Sequence, residues 1–192
     1  GDTLDTNETA NIQSITVQGL ATLTDGTYNF FKIRDSRTTF FDYLYQESDG
    51  TSDIEQFYLS NNNAYADIFS GDADANTVWA YAGNDTVYGQ GGNDIVYGGN
   101  GNDLVHGGIG NDSLYGERDV DILYGNDGAD RLEGGLGADS LYGEAGNDKI
   151  YSDDGADIID DGADINLLLF TGGTNRVVVN LSTSAIAYDT TN

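Results

Sequence analysis

The chain has 192 residues, with 33 Asp and Glu against 7 Lys and Arg, for a formal net charge of −26. Such a charge excludes a nucleic-acid binder working through a basic face, and it excludes attraction to anionic membrane surfaces. Only 38% of residues are hydrophobic, no apolar run approaches the roughly 18 residues of a membrane span, and without Cys there is no disulfide or thiol chemistry. The length suits one domain or two small ones. Acidity, low hydrophobicity and 27 Gly would ordinarily suggest disorder, because such a chain buries too little apolar surface to offset its conformational entropy. An aromatic content of 11% is high for a disordered tail, so something other than a conventional core is expected to hold the chain together.

Residues 1–61 form a β-rich N-terminal flank. The segments NIQSITVQGLATLT, TYNFFKIRD, RTTFFDYLYQES and DIEQFYLS are rich in β-branched and aromatic residues, and Asp25-Gly26 and Asp49-Gly50 supply turns. Four or five strands are predicted, either as a small sandwich or as irregular coils leading into the central part of the chain. Phe30, Phe31, Phe40, Phe41, Tyr43, Tyr45, Phe57 and Tyr58 could fill a modest core or cap the open end of a solenoid.

From residue 80 to 160 the chain divides without a gap into nine nonapeptides: AYAGNDTVY, GQGGNDIVY, GGNGNDLVH, GGIGNDSLY, GERDVDILY, GNDGADRLE, GGLGADSLY, GEAGNDKIY and SDDGADIID. Position six is Asp in all nine: Asp85, Asp94, Asp103, Asp112, Asp121, Asp130, Asp139, Asp148 and Asp157. Position eight is always Val, Leu or Ile, and position four is Gly except at Asp119. The phase continues upstream through Asp67, Phe69, Asn76 and Val78, and downstream through Asn166, Leu168, Asn175 and Val177. Positions one to six read as a Gly-rich turn and positions seven to nine as a short strand with one inward residue, position eight.

These nonapeptides resemble the GGxGxDxUx repeats of RTX (repeats-in-toxin) proteins, a calcium-binding pattern. The resemblance implies an all-β fold, a right-handed parallel β-roll or RTX solenoid, with two repeats per coil. The roll is expected over 62–178, between the N-terminal flank and a C-terminal β cap over 179–192. The resemblance also implies a Ca²⁺ ion between stacked turns. One turn would offer the carbonyls of its second and fourth positions with its Asp, and the next stacked turn those of its first and third with its Asp. For the first site these are Tyr81, Gly83 and Asp85 with Gly98, Asn100 and Asp103. The same rule adds Gly92, Gly101, Gly110, Gly128 and Gly137 at position four, and Gly107, Gly116, Gly125, Gly134 and Gly143 at position one. Pairing each Asp with the next but one predicts about seven sites: Asp85/Asp103, Asp94/Asp112, Asp103/Asp121, Asp112/Asp130, Asp121/Asp139, Asp130/Asp148 and Asp139/Asp157. Asp67/Asp85, Asn76/Asp94 and Asp148/Asn166 would be weaker edge sites. Asp119, Ser152 and Asp153 depart from the pattern, which bears on Asp103/Asp121, Asp121/Asp139 and Asp139/Asp157.

The chemistry agrees with calcium. The nine repeats carry 17 acidic and 3 basic residues, net −14, and seven divalent ions would add +14. Calcium takes six to eight oxygens in flexible geometry, whereas magnesium keeps a strict octahedron and its waters. Transition metals prefer imidazole or thiolate, and the chain has one His and no Cys. Asp in Gly-rich loops often makes only Asx-turns, but nine in one phase argue for a shared ligand role.

Position nine is Tyr in six repeats, giving outer ladders that are either a glycan- or partner-binding surface or ordinary cross-strand pairing. His106 reads as a surface residue standing in for Tyr in that ladder. Position seven makes the odd-repeat face the more apolar one, through Leu104, Ile122 and Ile158. That face is expected to be covered by a flank or by another chain, with Leu104, Ile122 and Tyr124 central. Ice-binding relatives present Thr at position three, and no such ladder occurs here. Neither HExxH nor GxSxG is present, so no catalytic residue is expected. The expected function is a calcium-dependent folding module of a bacterial protein exported by type I secretion, secreted or at the cell surface. Alternatives are a surface-layer or adhesin segment assembling through calcium, and the non-catalytic tail of a secreted hydrolase. The ending AIAYDTTN does not read as a secretion signal, so the chain is expected to be a piece of a longer protein.

Overall fold

The computed structural model describes residues 66–171 continuously, together with 15–16, 29–31, 44–46, 55–59, 178–181 and 186–189. Ahead of the repeats stand β1 (Ile15–Thr16), β2 (Asn29–Phe31), β3 (Leu44–Gln46) and β4 (Glu55–Tyr58). The roll opens with β5 (Ile68–Ser70) and β6 (Asn76–Trp79). It continues through β7 (Thr86–Gly91), β8 (Ile95–Asn100), β9 (Leu104–Ile109), β10 (Ser113–Arg118), β11 (Ile122–Asp127), β12 (Arg131–Leu136) and β13 (Ser140–Ala145). β14 (Lys149–Ser152), β15 (Ile158–Asp160), β16 (Leu167–Phe170), β17 (Val178–Asn180) and β18 (Ile186–Asp189) close it. Among the described residues there is no helix, and so none long and apolar enough to cross a membrane.

Odd strands of the roll pair in one sheet and even strands in the other, so the chain changes sheet at every turn. Neighbouring strands are parallel and offset by 18 residues, as in Thr86↔Leu104, Leu104↔Ile122 and Ile95↔Ser113. The result is a β-solenoid in which two nonapeptides make one coil, as the period requires. Its core is one row of aliphatic side chains per sheet. Val87, Val105, Leu123, Leu141 and Ile159 face Val78, Val96, Leu114, Leu132, Ile150 and Leu168, all fully buried. Phe69 extends the row upstream, so position eight and its upstream continuation are inward as read from the sequence.

Two features differ from the sequence reading. The strands are six residues long through the middle of the roll, not three, and run on into positions one to three of the next repeat. The reason is stacking: each turn lies over the turn one coil away, so its backbone finds the same parallel partners. Asn100 N–H donates to the Tyr81 carbonyl at 2.6 Å, and Gly83 N–H donates to the Asn100 carbonyl at 2.9 Å. The second difference is downstream. Ile159 pairs with Val179, 20 residues on, so the last coil of that sheet holds two extra residues and Val179 takes the place expected for Val177. Val179 packs against the core, whereas Asn175 and Val177 lie outside the described residues.

Each of the four flank segments contains one strand. β1 pairs with β5 in parallel; β2, β3 and β4 form an antiparallel run whose last member pairs with β6 in parallel. The described flank strands therefore continue the two sheets of the roll. The expected aromatic filling by Phe30, Phe31, Phe40, Phe41, Tyr43, Tyr45, Phe57 and Tyr58 concerns side chains outside the described residues.

Candidate metal centre

Every position-six Asp of the repeats is buried, at 0–2% exposure. Each holds the turn of the preceding coil in the same way. Its Oδ1 accepts the backbone N–H of the residue 18 positions earlier, from Asp67 N–H on Asp85 at 2.7 Å, through Asp103 N–H on Asp121 at 2.8 Å, to Asp139 N–H on Asp157 at 3.1 Å. Asn166 continues the row, accepting from Asp148 N–H at 2.7 Å. One oxygen of each carboxylate is thus committed to the backbone.

The other oxygen is not. The Oδ2 atoms of Asp85, Asp94, Asp103, Asp112, Asp121, Asp130, Asp139 and Asp148 are buried with no hydrogen-bond partner. A buried carboxylate oxygen without a partner carries the full desolvation penalty, so eight in register require an explanation. Their setting shows why position one is glycine. That residue alternates inward after position eight, and its Cα lies under the Oδ2 of its own repeat. A Cβ on Gly107 would lie 2.3 Å from Asp112 Oδ2, and across the row the distance is 2.3–2.6 Å. Glycine here keeps a space open beside a carboxylate oxygen.

Burial pushes these carboxyls up from the ordinary 3.8: to about 6 at Asp94, Asp103, Asp112, Asp139 and Asp148, about 7 at Asp85 and Asp130, and about 8 at Asp121. Desolvation is the largest cause, the N–H donor works against it, and neighbouring carboxylates such as Asp103 and Asp139 around Asp121 add to it. Without a cation beside them, these carboxyls are pushed toward the protonated form.

Backbone carbonyls line the turns around these carboxylates. Position-four carbonyls point forward along the stack: the Gly83 oxygen lies 1.7 Å from where a Gly101 Cβ would sit, and the Gly92 and Gly110 oxygens approach Gly110 and Gly128 in the same way. Gly128 and Gly137 repeat this toward Gly146 and Gly155. Position-one carbonyls point back: those of Gly107, Gly116, Gly125, Gly134 and Gly143 approach the position-one glycine of the preceding coil. The position-two carbonyl of Tyr81 points forward to Gly99, while the position-three carbonyl of Asn100 faces back and accepts from Gly83. Position-one carbonyls therefore lie on the Oδ2 side of the Asp row and position-four carbonyls on the Oδ1 side, as at Gly128, Gly137 and Gly155, while the Tyr81 and Asn100 carbonyls accept backbone N–H groups. Among the described residues no three Asp, Glu, His or Cys side chains converge, so a cation here would draw on two carboxylates at most and otherwise on backbone oxygens. An all-oxygen, flexible donor set of this kind fits Ca²⁺.

The family model for the RTX calcium-binding nonapeptide repeat matches the chain in four copies, over residues 62–96, 88–123, 97–132 and 124–159, just over half its length. The chain belongs to the RTX calcium-binding repeat family. None of the curated proteins matches it.

The RTX ladder runs undisturbed through its most irregular repeat. Asp119 takes the place of the position-four glycine with φ +75°, and its Oδ2 accepts Gly101 N–H at 3.1 Å. Asp103, Asp121 and Asp139 keep their links of 2.8 and 2.9 Å around it. The repeat opened by Ser152 behaves differently, for there the Ser152 hydroxyl donates to Asp157 Oδ2 at 2.6 Å.

The RTX turns also contain a second ladder that sequence reasoning missed. At position five, the side-chain carbonyls of Asn84, Asn93, Asn102, Asn111 and Asn147 each accept the backbone N–H of the residue 18 positions later, at 2.8–3.0 Å. The recurrent Asn-Asp dipeptide was its visible signal. On the outer faces, position nine forms stacks: Trp79–Tyr97–Tyr115 on one sheet and Tyr88–His106–Tyr124–Tyr142 on the other. His106 takes its expected place between two Tyr rings, 5.2 and 4.6 Å away. Where Glu133 interrupts the first stack, Arg131 lies over the Tyr115 and Tyr151 rings and pairs with Glu133.

Proposed function

We propose that this chain is a calcium-dependent folding module, part of a bacterial protein exported by type I secretion, which folds outside the cell. RTX repeats build a structural, non-catalytic calcium module. The observation that carries the finer reading is the set of eight buried Oδ2 atoms without partners, six of them (Asp94, Asp103, Asp112, Asp121, Asp130 and Asp148) beside the position-one carbonyl of the next coil. Asp85, Asp94, Asp103, Asp112, Asp121, Asp130, Asp139 and Asp148 would hold the ions with the position-one to position-four carbonyls, in the pairs Asp85/Asp103, Asp94/Asp112, Asp103/Asp121, Asp112/Asp130, Asp121/Asp139 and Asp130/Asp148, with Asp139/Asp157 as a seventh. When bound, Ca²⁺ supplies positive charge and oxygen-coordinating positions that neutralise these carboxylates. Where calcium is scarce the buried charges oppose ordering, and Gly-rich turns lose the most entropy on folding, so the chain stays extended and exportable. Outside, calcium of about 10⁻³ M reaches the 10⁻⁴–10⁻³ M dissociation constants usual for extracellular modules. Ordering and binding are then one cooperative event.

The test is far-UV circular dichroism with light scattering during a Ca²⁺ titration, with Mg²⁺ as control. A cooperative coil-to-β transition near millimolar Ca²⁺ and absent with Mg²⁺ is expected. A chain already folded in chelator would defeat the export account.

One observation favours a second reading, a surface-layer or adhesin segment assembling through calcium. On the outer face of the odd-strand sheet, Ile68, Leu104, Ile122, Ile158 and Val178 stand in one row, and all but Leu104 are exposed. Thr86 and Ser140 interrupt this row, which leaves Leu104 beside Ile122 and Ile158 beside Val178 as its apolar pairs, and exposed apolar surface can mark contact sites. Self-association through the Leu104/Ile122 face would show as calcium-dependent oligomers, weakened in Ile122→Asp.

A further inference from the structure

We infer that Ser152 terminates the cation ladder: by occupying the free oxygen of Asp157 it removes the Asp139/Asp157 site, so ion binding ends at Asp139 on one edge and at Asp148 on the other. This boundary rests on the calcium reading of the Asp row and refines which pairs take part.

The repeats supply their own controls. Seven of the nine open with glycine, and their Asp Oδ2 atoms are all orphaned. The first opens with Ala80, fully buried and without a polar atom, and Asp85 Oδ2 is orphaned as well. Only in the ninth does a hydroxyl stand at position one, and there Oδ2 has a partner, Ser152 Oγ at 2.6 Å, both residues at 1–2% exposure. The backbone link is intact, since Asp139 N–H still reaches Asp157 Oδ1. Geometry along the row is therefore unchanged, and the difference lies in one side chain that fills the space glycine leaves open.

The other edge closes in the same manner with different residues. At the next repeat Asp161 stands at position one, fully buried, and Asn166 stands at position six. Asn166 Nδ2 donates to the Asp161 carbonyl at 2.7 Å, to the Ala163 carbonyl at 2.8 Å and to Asp161 Oδ2 at 3.3 Å. An amide hydrogen here meets turn carbonyls that the preceding turns leave to a cation. Both edges thus exchange an open carboxylate for an internal hydrogen bond within one coil of each other, as two halves of one boundary would.

The test counts bound Ca²⁺ by equilibrium dialysis on the full chain, with far-UV circular dichroism at saturating Ca²⁺ to verify the fold. Ser152→Gly restores the open space, so it should bind one ion more than the wild-type chain. Ser152→Ala removes the hydroxyl and leaves Asp157 as Ala80 leaves Asp85, so its count should rise as well. Asp157→Asn should leave the count unchanged, and it decides the matter alone if Ser152→Gly does not fold. An unchanged count in a folded Ser152→Gly, or an ion lost in Asp157→Asn, overturns the boundary at Ser152. A wild-type chain that takes up no Ca²⁺ ends the calcium reading itself, and this refinement with it.

Discussion

From Asp85 to Asp148 every position-six Asp leaves its Oδ2 buried and without a partner, whereas at Asp157 and Asn166 the position-six side chain hydrogen-bonds within its own turn. Both regions share the 18-residue offset, the inward aliphatic row and the Oδ1 link to the coil before. What separates them is the residue at position one. A repeat protein can therefore set where its ion array stops without altering its backbone, by changing one side chain in the gap that glycine keeps clear.

The widest separation between the two regions should come from removing calcium. In excess chelator near pH 8 the turns from Asp85 to Asp148 hold eight uncompensated buried carboxylates, and most of the β signal should disappear and return on adding Ca²⁺. The pH dependence follows from the raised carboxyls. Their folded values of about 6 to 8 exceed the ordinary value of about 3.9. Stability of the metal-free roll from these groups is therefore fully present below about pH 4 and is lost as pH rises through 6 to 8. Metal-free far-UV circular dichroism should show more β signal at pH 5 than at pH 8, and saturating Ca²⁺ should reverse that order, because ligands must be deprotonated to bind.

Next in size is the core that both regions share. Leu123→Ala removes a fully buried side chain from a row one residue thick, at a cost of about 2–5 kcal/mol in a calcium-saturated denaturation experiment. An effect below about 1 kcal/mol would mean that the turns alone carry the fold. Gly107→Ala sharpens the comparison further. Its Cβ would lie 2.3 Å from Asp112 Oδ2 and 2.8 Å from the Gly125 carbonyl, so a loss of about 1–3 kcal/mol with a weakened calcium midpoint is expected. The smallest effect should come from Asn111→Ala, which removes an exposed acceptor for Ala129 N–H. A loss of about 0.5–1.5 kcal/mol is expected, with no change in the number of ions bound.

Much of this architecture is legible in the sequence because it repeats. Asp at position six and an aliphatic residue at position eight recur nine times, and each recurrence points to the same environment, so the buried Asp row and the aliphatic row follow directly. The flank strands are legible from β-branched and aromatic composition, but their partners are not. Nothing local in NIQSITVQGLATLT says that Ile15 pairs with Phe69, because that choice depends on which sheet edge remains open.

Single departures are harder to read than repeats. Asp119 breaks the glycine pattern yet leaves the ladder intact, whereas Ser152 looks equally irregular and closes it. In sequence both are simply deviations, and only the space around each side chain separates them. The two extra residues between Ile159 and Val179 likewise appear only once the strands are paired, since the apolar run around Val177 accepts either register.

The amino-acid sequence by itself determined the period, the inward row, the acidic row and the calcium chemistry, because these depend on residue type at a fixed spacing. The tertiary structure alone decided which oxygens are committed and which are free, why position one must be small, and how the Asn row bonds. Those properties belong to contacts between residues 18 positions apart, and such contacts exist only when one coil lies upon the next.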